Sequence, residues 1–241
     1  MDEAALVLRF SPDLRFFLAP RNRGAQVRVD HDGSSSLGHV VESLGVPLTE
    51  VGLLSVDGRT VAPSHRPRHG AVVDVAAVRW PQPLPFSPVR FLLDVHLGTL
   101  ARRLRLLGVD TAYHTDRDDP ELVEQANAEQ RVLLTRDRGL LHRRNLRAGG
   151  HVRADRPDHQ WREVLDRFAP PLRPWTRCLA CNGLLSRVAK DEVAAELPEG
   201  TRATYGTFLR CADCDQVYWP GAHHRRLAQL VREAEEYVAA R

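Results

Sequence analysis

Four cysteines in the last third of the chain form two C-x-x-C pairs, and residues 182–210 separate the pairs. Two such turns aim four thiolates at one point, which is the tetrahedral cage that zinc prefers. The spacer is longer than the usual ~15–20 residues. A redox pair, which would need only one copy, and an iron–sulfur cluster are the alternatives. Because cysteine fills all four positions, we predict a structural Zn²⁺ with no open catalytic position. The ligands are Cys178, Cys181, Cys211 and Cys214.

Acidic residues follow two apolar runs that are typical of buried strands. Asp94 ends the run at 89–93, and Asp137 lies just past the run at 132–134. The carboxyl ends of parallel strands lie along the same edge of a sheet. We therefore expect Asp94 and Asp137 to lie close together there, with further acids from the start of the intervening helix. Converging carboxylates need a divalent cation, and oxygen-only ligands suit Mg²⁺ or Mn²⁺. Such a cation can activate water against a phosphodiester. The acids near the intervening helix are Asp116, Asp118, Asp119 and Glu121.

Each acid also has a structural interpretation. Asp118 or Asp119 can cap a helix by accepting a backbone N–H bond, and Asp116 can be a solvated loop acid. Asp137 can form a surface salt bridge with an arginine beside it, and Asp94 can be a solvated acid. The pattern alone therefore favours a metal site without specifying it.

Arginine makes up 33 of the 34 basic residues, since Lys190 is the only lysine. Arginine binds phosphate through a planar two-pronged fork, but a GC-rich coding bias is the favoured explanation of the abundance, which therefore carries little weight by itself. Beside Asp137, Arg136 and Arg138 are candidates for phosphate binding in a basic stretch that continues to residue 147. A solvated helical face is the alternative. The net charge of +3 permits nucleic-acid contact without demanding it.

Three segments and a linker position these residues. Residues 1–80 have the order strand–strand–helix–strand–strand, which predicts a ubiquitin-like β-grasp. Residues 81–88 are a Pro-rich linker that sustains neither a helix nor a central strand. Residues 89–170 alternate strands with helices, with a last strand expected at 151–154, and predict a parallel sheet covered on both faces. Residues 171–241 hold the cysteines and a terminal helix.

The composition excludes several classes of protein. A hydrophobic content of 43% and a charged content of 27% are ordinary for a packed chain and argue against disorder or a fibrous rod. No apolar run approaches the ~18–20 residues of a membrane-spanning helix. The N-terminal sequence MDEAALVLRF does not look like a secretory signal. We therefore expect no membrane partner and a cytoplasmic protein.

Three stretches of the chain resemble parts of one known family. The segment FLLDVHLGTLARRLRLLGVDTAYHTDRDDPELVEQANAEQRVLLTRDRGL resembles the PIN-like RNase domain named after the C-terminal part of the Mut-seven exonuclease. The motifs CLACNG and CADCDQVYWPGAHH resemble that family's zinc ribbon. The first 80 residues, with GVPLTEVGLLSVDG, resemble the ubiquitin-like module found ahead of it. The resemblance covers nearly the whole chain.

The resemblance implies a PIN-type α/β/α fold and metal-dependent cleavage of RNA. The family's strand-end aspartate corresponds to Asp94, and the acid at the start of its middle helix corresponds to Asp119. The aspartate of its T-x-D element corresponds to Asp137. Asp116 and Glu121 are additional acids beside the middle helix.

Two departures bear on this implied function. Many PIN-like domains carry another acid two positions after the T-x-D aspartate, where this chain has Gly139, and Asp155 is a weak substitute. A non-catalytic RNA- or ribosome-binding adaptor is therefore the alternative to a ribonuclease. The β-grasp module lacks the exposed C-terminal Gly-Gly of sulfur carriers, which disfavours sulfur transfer and leaves docking to a protein partner or regulation.

Overall fold

The computed structural model describes residues 5–241, which form three β-sheets. The first four residues, on which the predicted absence of a secretory signal partly rests, lie outside the described residues. Within the described range, none of the helices combines the length and the apolar character needed to span a bilayer.

The first sheet is mixed and packs against one helix. Its elements are β1 (Ala5–Phe10), β2 (Val27–Asp30), α1 (Leu37–Ser43), β3 (Val51–Val56), β4 (Arg59–Val61) and β5 (Val72–Ala77). The strand order is β2-β1-β5-β3-β4, and β1 and β5 are parallel while the other pairs are antiparallel. Ser36 caps α1 by accepting a hydrogen bond from the backbone N–H of His39. This is the predicted β-grasp, whose core holds alternate residues of β1 and β5.

The second sheet is entirely parallel. Its segment contains β6 (Phe91–Leu93), α2 (Gly98–Leu106), β7 (Thr111–Tyr113), α3 (Asp119–Ala128), β8 (Val132–Thr135), α4 (Arg138–Leu141), β9 (Gly149–His151) and α5 (Pro157–Phe168). The strand order is β7-β6-β8-β9. Phe91 and Leu93 pack with α2 and α5, while Leu92 packs with α3 and α4. The continuous apolar strands are thus buried on both faces, as the predicted α/β/α sandwich requires.

The last strand of this sheet lies earlier in the chain than predicted, at Gly149–His151 instead of 151–154. Glycine is a poor strand former, so the two glycines interrupt the apolar run from which a strand is predicted. A Cβ on Gly149 would lie 2.9 Å from the side chains of Leu141 and Leu146. A larger residue here would therefore push the ends of these two leucine side chains aside.

The third sheet belongs to the zinc ribbon and is antiparallel, with the order β10-β11-β12. The segment contains β10 (Leu185–Val188), α6 (Lys190–Val193), α7 (Glu199–Thr204), β11 (Phe208–Cys211), β12 (Val217–Tyr218) and α8 (His224–Ala239). The long spacer between the cysteine pairs is a folded insertion, because Val193 and Leu197 bury themselves with Phe208 and Val217 in a separate apolar cluster.

The ribbon is attached to the sandwich at both of its ends. Val231 and Ala234 of α8 pack in the sandwich core, and the Tyr237 hydroxyl donates to Asp166 Oδ2 at 2.8 Å. At the other end, Asn182 donates from Nδ2 to Asp110 Oδ1 at 2.9 Å. The predicted terminal helix therefore returns to the second sheet.

The β-grasp is joined to the sandwich by a buried ion pair. Glu50, just before β3, is 1% exposed, and Arg167 of α5 is 3% exposed. Arg167 Nη1 donates to the Glu50 carboxylate oxygens at 2.9 and 3.1 Å, and the His151 N–H donates to Oε1 at 2.8 Å. The β-grasp therefore packs against β9, the strand next to β8.

Candidate functional site

The four cysteine thiols meet in one cluster. Their sulfur atoms all lie within 4.8 Å of one another. The Cys178 and Cys214 sulfurs are 3.7 Å apart, and the Cys181 and Cys211 sulfurs are 3.3 Å apart. Folding thus brings the two C-x-x-C pairs together as predicted, and the cluster can bind zinc.

The backbone of each pair is shaped to support thiolates. The Gly183 N–H donates to Cys181 Sγ, and the Asp213 N–H donates to Cys211 Sγ, both at 3.4 Å. A Cβ on Gly183 would lie 2.7 Å from Cys211 Sγ, so only glycine allows the two pairs to approach this closely. Hydrogen bonds to sulfur favour the ionised ligand that a metal needs.

Two thiols of the cluster have opposite pKa shifts. Burial raises the pKa of Cys178, but hydrogen bonds from the Tyr218 hydroxyl and from backbone N–H groups outweigh it and lower the pKa to about 7. Burial and hydrogen bonds shared with the other thiols raise the pKa of Cys181 to about 12. One thiolate therefore forms readily, and further ionisation needs a cation to offset the repulsion.

Asp94 lies at the carboxyl end of β6 and is 4% exposed. Its Oδ1 accepts the His96 N–H at 2.9 Å. Its Oδ2 accepts the Arg136 N–H at 3.2 Å and the Thr135 hydroxyl. These donors fix the orientation of the carboxylate, so Asp94 is not a solvated surface acid.

Asp137 follows β8 and caps α4. Its Oδ1 accepts the Gly139 N–H at 2.7 Å, and its own N–H donates to Thr135 Oγ1 at 2.8 Å. Since the Thr135 hydroxyl also donates to Asp94, this one side chain joins the ends of β6 and β8. Asp137 is exposed to solvent beside the buried Asp94.

The acids near α3 have different contacts, and only some of them cap the helix. Asp118 Oδ1 accepts the Glu121 N–H, and Glu121 Oε2 accepts the Asp118 N–H, both at 3.0 Å, in a reciprocal capping box. Asp119 is the first residue of α3, and its Oδ2 accepts from Arg143 Nη2 at 3.1 Å. Asp116 is exposed in the preceding loop.

The structure brings Asp94 and Asp137 to one sheet edge and attaches Asp119 to Arg143. Among residues 5–241, the cysteines are the only group of three or more His, Cys, Asp or Glu whose ligand atoms all lie within 4.8 Å of one another. The three aspartates do not form such a group.

The arginines beside Asp137 have partners within the protein. Arg136 forms an ion pair with Asp155. Arg138 Nη2 donates to the Phe16 carbonyl at 3.2 Å, and its guanidinium lies 4.4 Å from the centre of the Phe16 ring. The β-grasp module therefore holds one of the two arginines that were predicted to bind phosphate.

Two residues at this edge were not singled out from the sequence. Thr135 links the two strand-end aspartates, and the T-R-D motif was its only sequence signal. His151 ends β9, and its Nε2 lies 3.2 Å from the Arg136 carbonyl oxygen. Burial lowers the pKa of His151 below its usual value, because the charged ring is poorly solvated there. No sequence pattern marked this histidine, because only folding brings it beside residue 136.

Comparisons with known proteins give two family matches. A family model described as the Mut7-C RNAse domain matches residues 89–231, and one described as Mut7-C ubiquitin matches residues 3–82. No curated protein matches the chain. Among solved structures, the crystal structure of H. volcanii small archaeal modifier protein 1 matches with 17% identity and a TM-score of 0.25. That match covers 30% of this chain and 95% of the other.

Proposed function

The chain belongs to the Mut7-C RNase domain family, and from this premise we propose that it is a metal-dependent ribonuclease that hydrolyses RNA phosphodiester bonds. The observation that carries the proposal is the linkage of Asp94 and Asp137 through Thr135 at the carboxyl edge of the parallel sheet. Ligands of open α/β sheets bind at this edge. We place the enzyme in the cytoplasm, and the β-grasp module is proposed to dock a protein partner.

Asp94, Asp119 and Asp137 are the proposed ligands of a catalytic Mg²⁺ or Mn²⁺. Their donor atoms are all carboxylate oxygens, which these ions prefer. When bound, such an ion polarises a phosphodiester and lowers the pKa of water. The cysteine cluster has a different donor set, and its proposed ion is a structural Zn²⁺.

The chain's own residues have separate proposed roles. Thr135 holds the Asp94 carboxylate and the backbone of Asp137 in register across the two strands. Arg143 offsets the charge of Asp119. Arg144, the next residue along the chain, is exposed, and we propose that it contacts the phosphates of the RNA backbone. Such contacts position the RNA strand without reading its sequence.

Cleavage of an end-labelled single-stranded RNA tests the proposal. Wild-type protein is expected to cut the RNA when Mg²⁺ or Mn²⁺ is added and not when it is omitted. The added ions are omitted rather than chelated, because a chelator would also remove zinc. Asp94→Asn and Asp137→Asn should each lower the rate by about 100-fold or more, since each removes several kcal/mol of charge stabilisation.

Asp74→Asn is the matched control, because Asp74 is an exposed acid on β5 of the β-grasp. Its rate should equal that of wild type. Cleavage that persists in the Asp94 and Asp137 variants, or without an added cation, would show that a contaminating nuclease or another site cuts the RNA.

A non-catalytic RNA-binding adaptor is the second candidate. It is favoured because Asp119 forms an ion pair with Arg143 and because the three aspartates are not among the metal-ligand groups found in residues 5–241. An adaptor would bind the same RNA with or without Mg²⁺ and leave it intact over long incubation. The Asp137→Asn variant would then bind RNA as well as wild type does.

A further inference from the structure

An apolar cleft of about 790 Å³ lies between the zinc ribbon and the start of α8. One wall consists of residues that pack on the sandwich core, including Trp175, Leu179 and Leu227. Other lining residues, among them Tyr205 and Trp219, pack on the ribbon core. The gap between the two cores therefore exposes apolar surface to water, which is unfavourable unless a ligand covers it.

The cleft is lined by flat rings. The Trp175 and His224 rings are in contact, with their centroids 4.9 Å apart and their planes tilted by 37°. Tyr205 and Trp219 are half-buried and present further aromatic surface to the cleft. Proteins bind unpaired bases by stacking them on such side chains, because every base has a π-face.

Apart from histidines, the one charged side chain among the described residues that line the cleft is Arg177, which pairs with Asp110 at 3.0 Å. No carboxylate is among its lining residues. Arg225 and Arg226 follow His224 in the first turn of α8, and both are exposed. Within residues 5–241, neither guanidinium has an ion-pair or hydrogen-bond partner. The positive end of the α8 dipole adds to this charge. An anionic strand in the cleft would therefore meet no carboxylate and would lie beside a turn that carries two exposed, unpaired arginines.

We propose that this cleft binds an unpaired nucleobase of an RNA strand and that Arg225 and Arg226 hold the adjoining phosphates. The inference deepens the proposed function, on which the choice of RNA as ligand rests. It assigns the zinc ribbon a role in substrate binding that is separate from that of the aspartates.

Tryptophan fluorescence tests the proposal directly. Two of the four tryptophans line the cleft, while Trp161 is buried and Trp80 is 46% exposed outside it. A ten-nucleotide oligouridine is titrated into the full-length zinc-loaded protein without added Mg²⁺ or Mn²⁺, so binding is measured independently of cleavage. Wild-type fluorescence should be quenched. Trp219→Leu should weaken binding by about 10-fold, and Trp80→Leu should leave it unchanged.

A second pair of variants tests the phosphate contacts. Replacing Arg225 and Arg226 by glutamine removes two cations from the first turn of α8, beside the cleft. The slope of log Kd against log salt concentration should fall by about 1.4, since each phosphate contact on a single strand contributes about 0.7. His224→Ala removes a ring at the cleft mouth and serves as the base-stacking test if Trp219→Leu fails to fold.

Three results would overturn the inference. The first is that oligouridine still quenches the fluorescence of both Trp219→Leu and His224→Ala. The second is that it no longer quenches that of Trp80→Leu. The third is that the slope of log Kd against log salt concentration is unchanged in the variant that lacks Arg225 and Arg226. An apolar helical peptide that quenches where oligouridine does not would make the cleft a protein-docking site instead. If the wild-type protein cleaves RNA but its fluorescence is not quenched by oligouridine, this inference alone is refuted. Quenching without any cleavage would refute only the ribonuclease.

Discussion

Replacing Glu50 by glutamine keeps the shape of a buried side chain and removes its charge. Arg167 then lacks a carboxylate in a place where it is 3% exposed. Breaking a buried ion pair from one side costs about 3–5 kcal/mol, because the remaining charge stays desolvated. Arg167 keeps its bonds to Gln82 Oε1 at 2.7 Å and to the Thr49 carbonyl at 3.4 Å. We therefore expect the lower end, a loss of about 3 kcal/mol in the free energy of unfolding.

Urea unfolding followed by circular dichroism measures this loss. For a chain of this size, 3 kcal/mol corresponds to a fall in Tm of about 6–12 °C. The matched control is Glu196→Gln, because Glu196 pairs with Arg210 while its side chain is 50% exposed. An exposed pair contributes less than about 1 kcal/mol, so this variant should unfold nearly as wild type does. Equal losses in the two variants would refute the argument from burial.

Hydrogen exchange adds a local readout of the same contact. The His151 N–H donates to Glu50, so its exchange should accelerate in Glu50→Gln more than that of other amides in the second sheet. The double variant Glu50→Leu with Arg167→Met removes both charges. Its loss of stability should be smaller than the sum of the single losses, as it leaves no unpaired charge.

Three further outcomes follow from the structure. Gly108→Ala should lower the free energy of unfolding, measured in urea, by more than about 3 kcal/mol, because its φ is +76° and a Cβ would lie 1.7 Å from the Arg173 carbonyl oxygen. Gly58→Ala is the control: its φ is +78° but the space around it is open, so its loss should be about 1–2 kcal/mol. Removing zinc with a chelator should unfold the third sheet while the first stays folded, so amide protection at Phe208 should disappear; protection that persists would contradict a structural ion. Burial lowers the pKa of His151 in the folded state, so the unfolded state binds a proton at this histidine first as the pH falls. The free energy of unfolding should therefore be at its full value above about pH 6.5 and decrease below it. Melting curves at pH 5 and pH 8 should differ less in His151→Gln than in wild type.

Local patterns in the sequence were sufficient to predict most elements of the fold. Buried strands such as β6 and β8 stand out as short apolar runs, and the alternation of strands with helices predicts a parallel sheet. The turn at Asp57 and Gly58 was also predictable, because these residue types favour a tight hairpin. The strand at Gly149–His151 was placed two residues too late, because its two glycines are poor strand formers and interrupt the apolar pattern.

The candidate site was predictable only in its residue types. Strand-end placement pointed to Asp94 and Asp137, but the bridging hydroxyl of Thr135 depends on the register between β6 and β8. Whether Asp118 or Asp119 caps α3 was left open, and the structure assigns the cap to Asp118 because the Glu121 N–H points at its carboxylate. Arg138 packs on the Phe16 ring, and these two residues are more than a hundred positions apart, so no local pattern predicts their contact.

By itself, the sequence determined the types and spacing of ligands and the order of strands and helices, because these follow from neighbours along the chain. The two C-x-x-C pairs predict a four-sulfur cage for this reason. Only the tertiary structure decided which charges are paired, which aromatic rings face an open cleft and where the β-grasp packs. Those outcomes depend on burial and on contacts between distant segments, such as Glu50 with Arg167, and no local pattern encodes them.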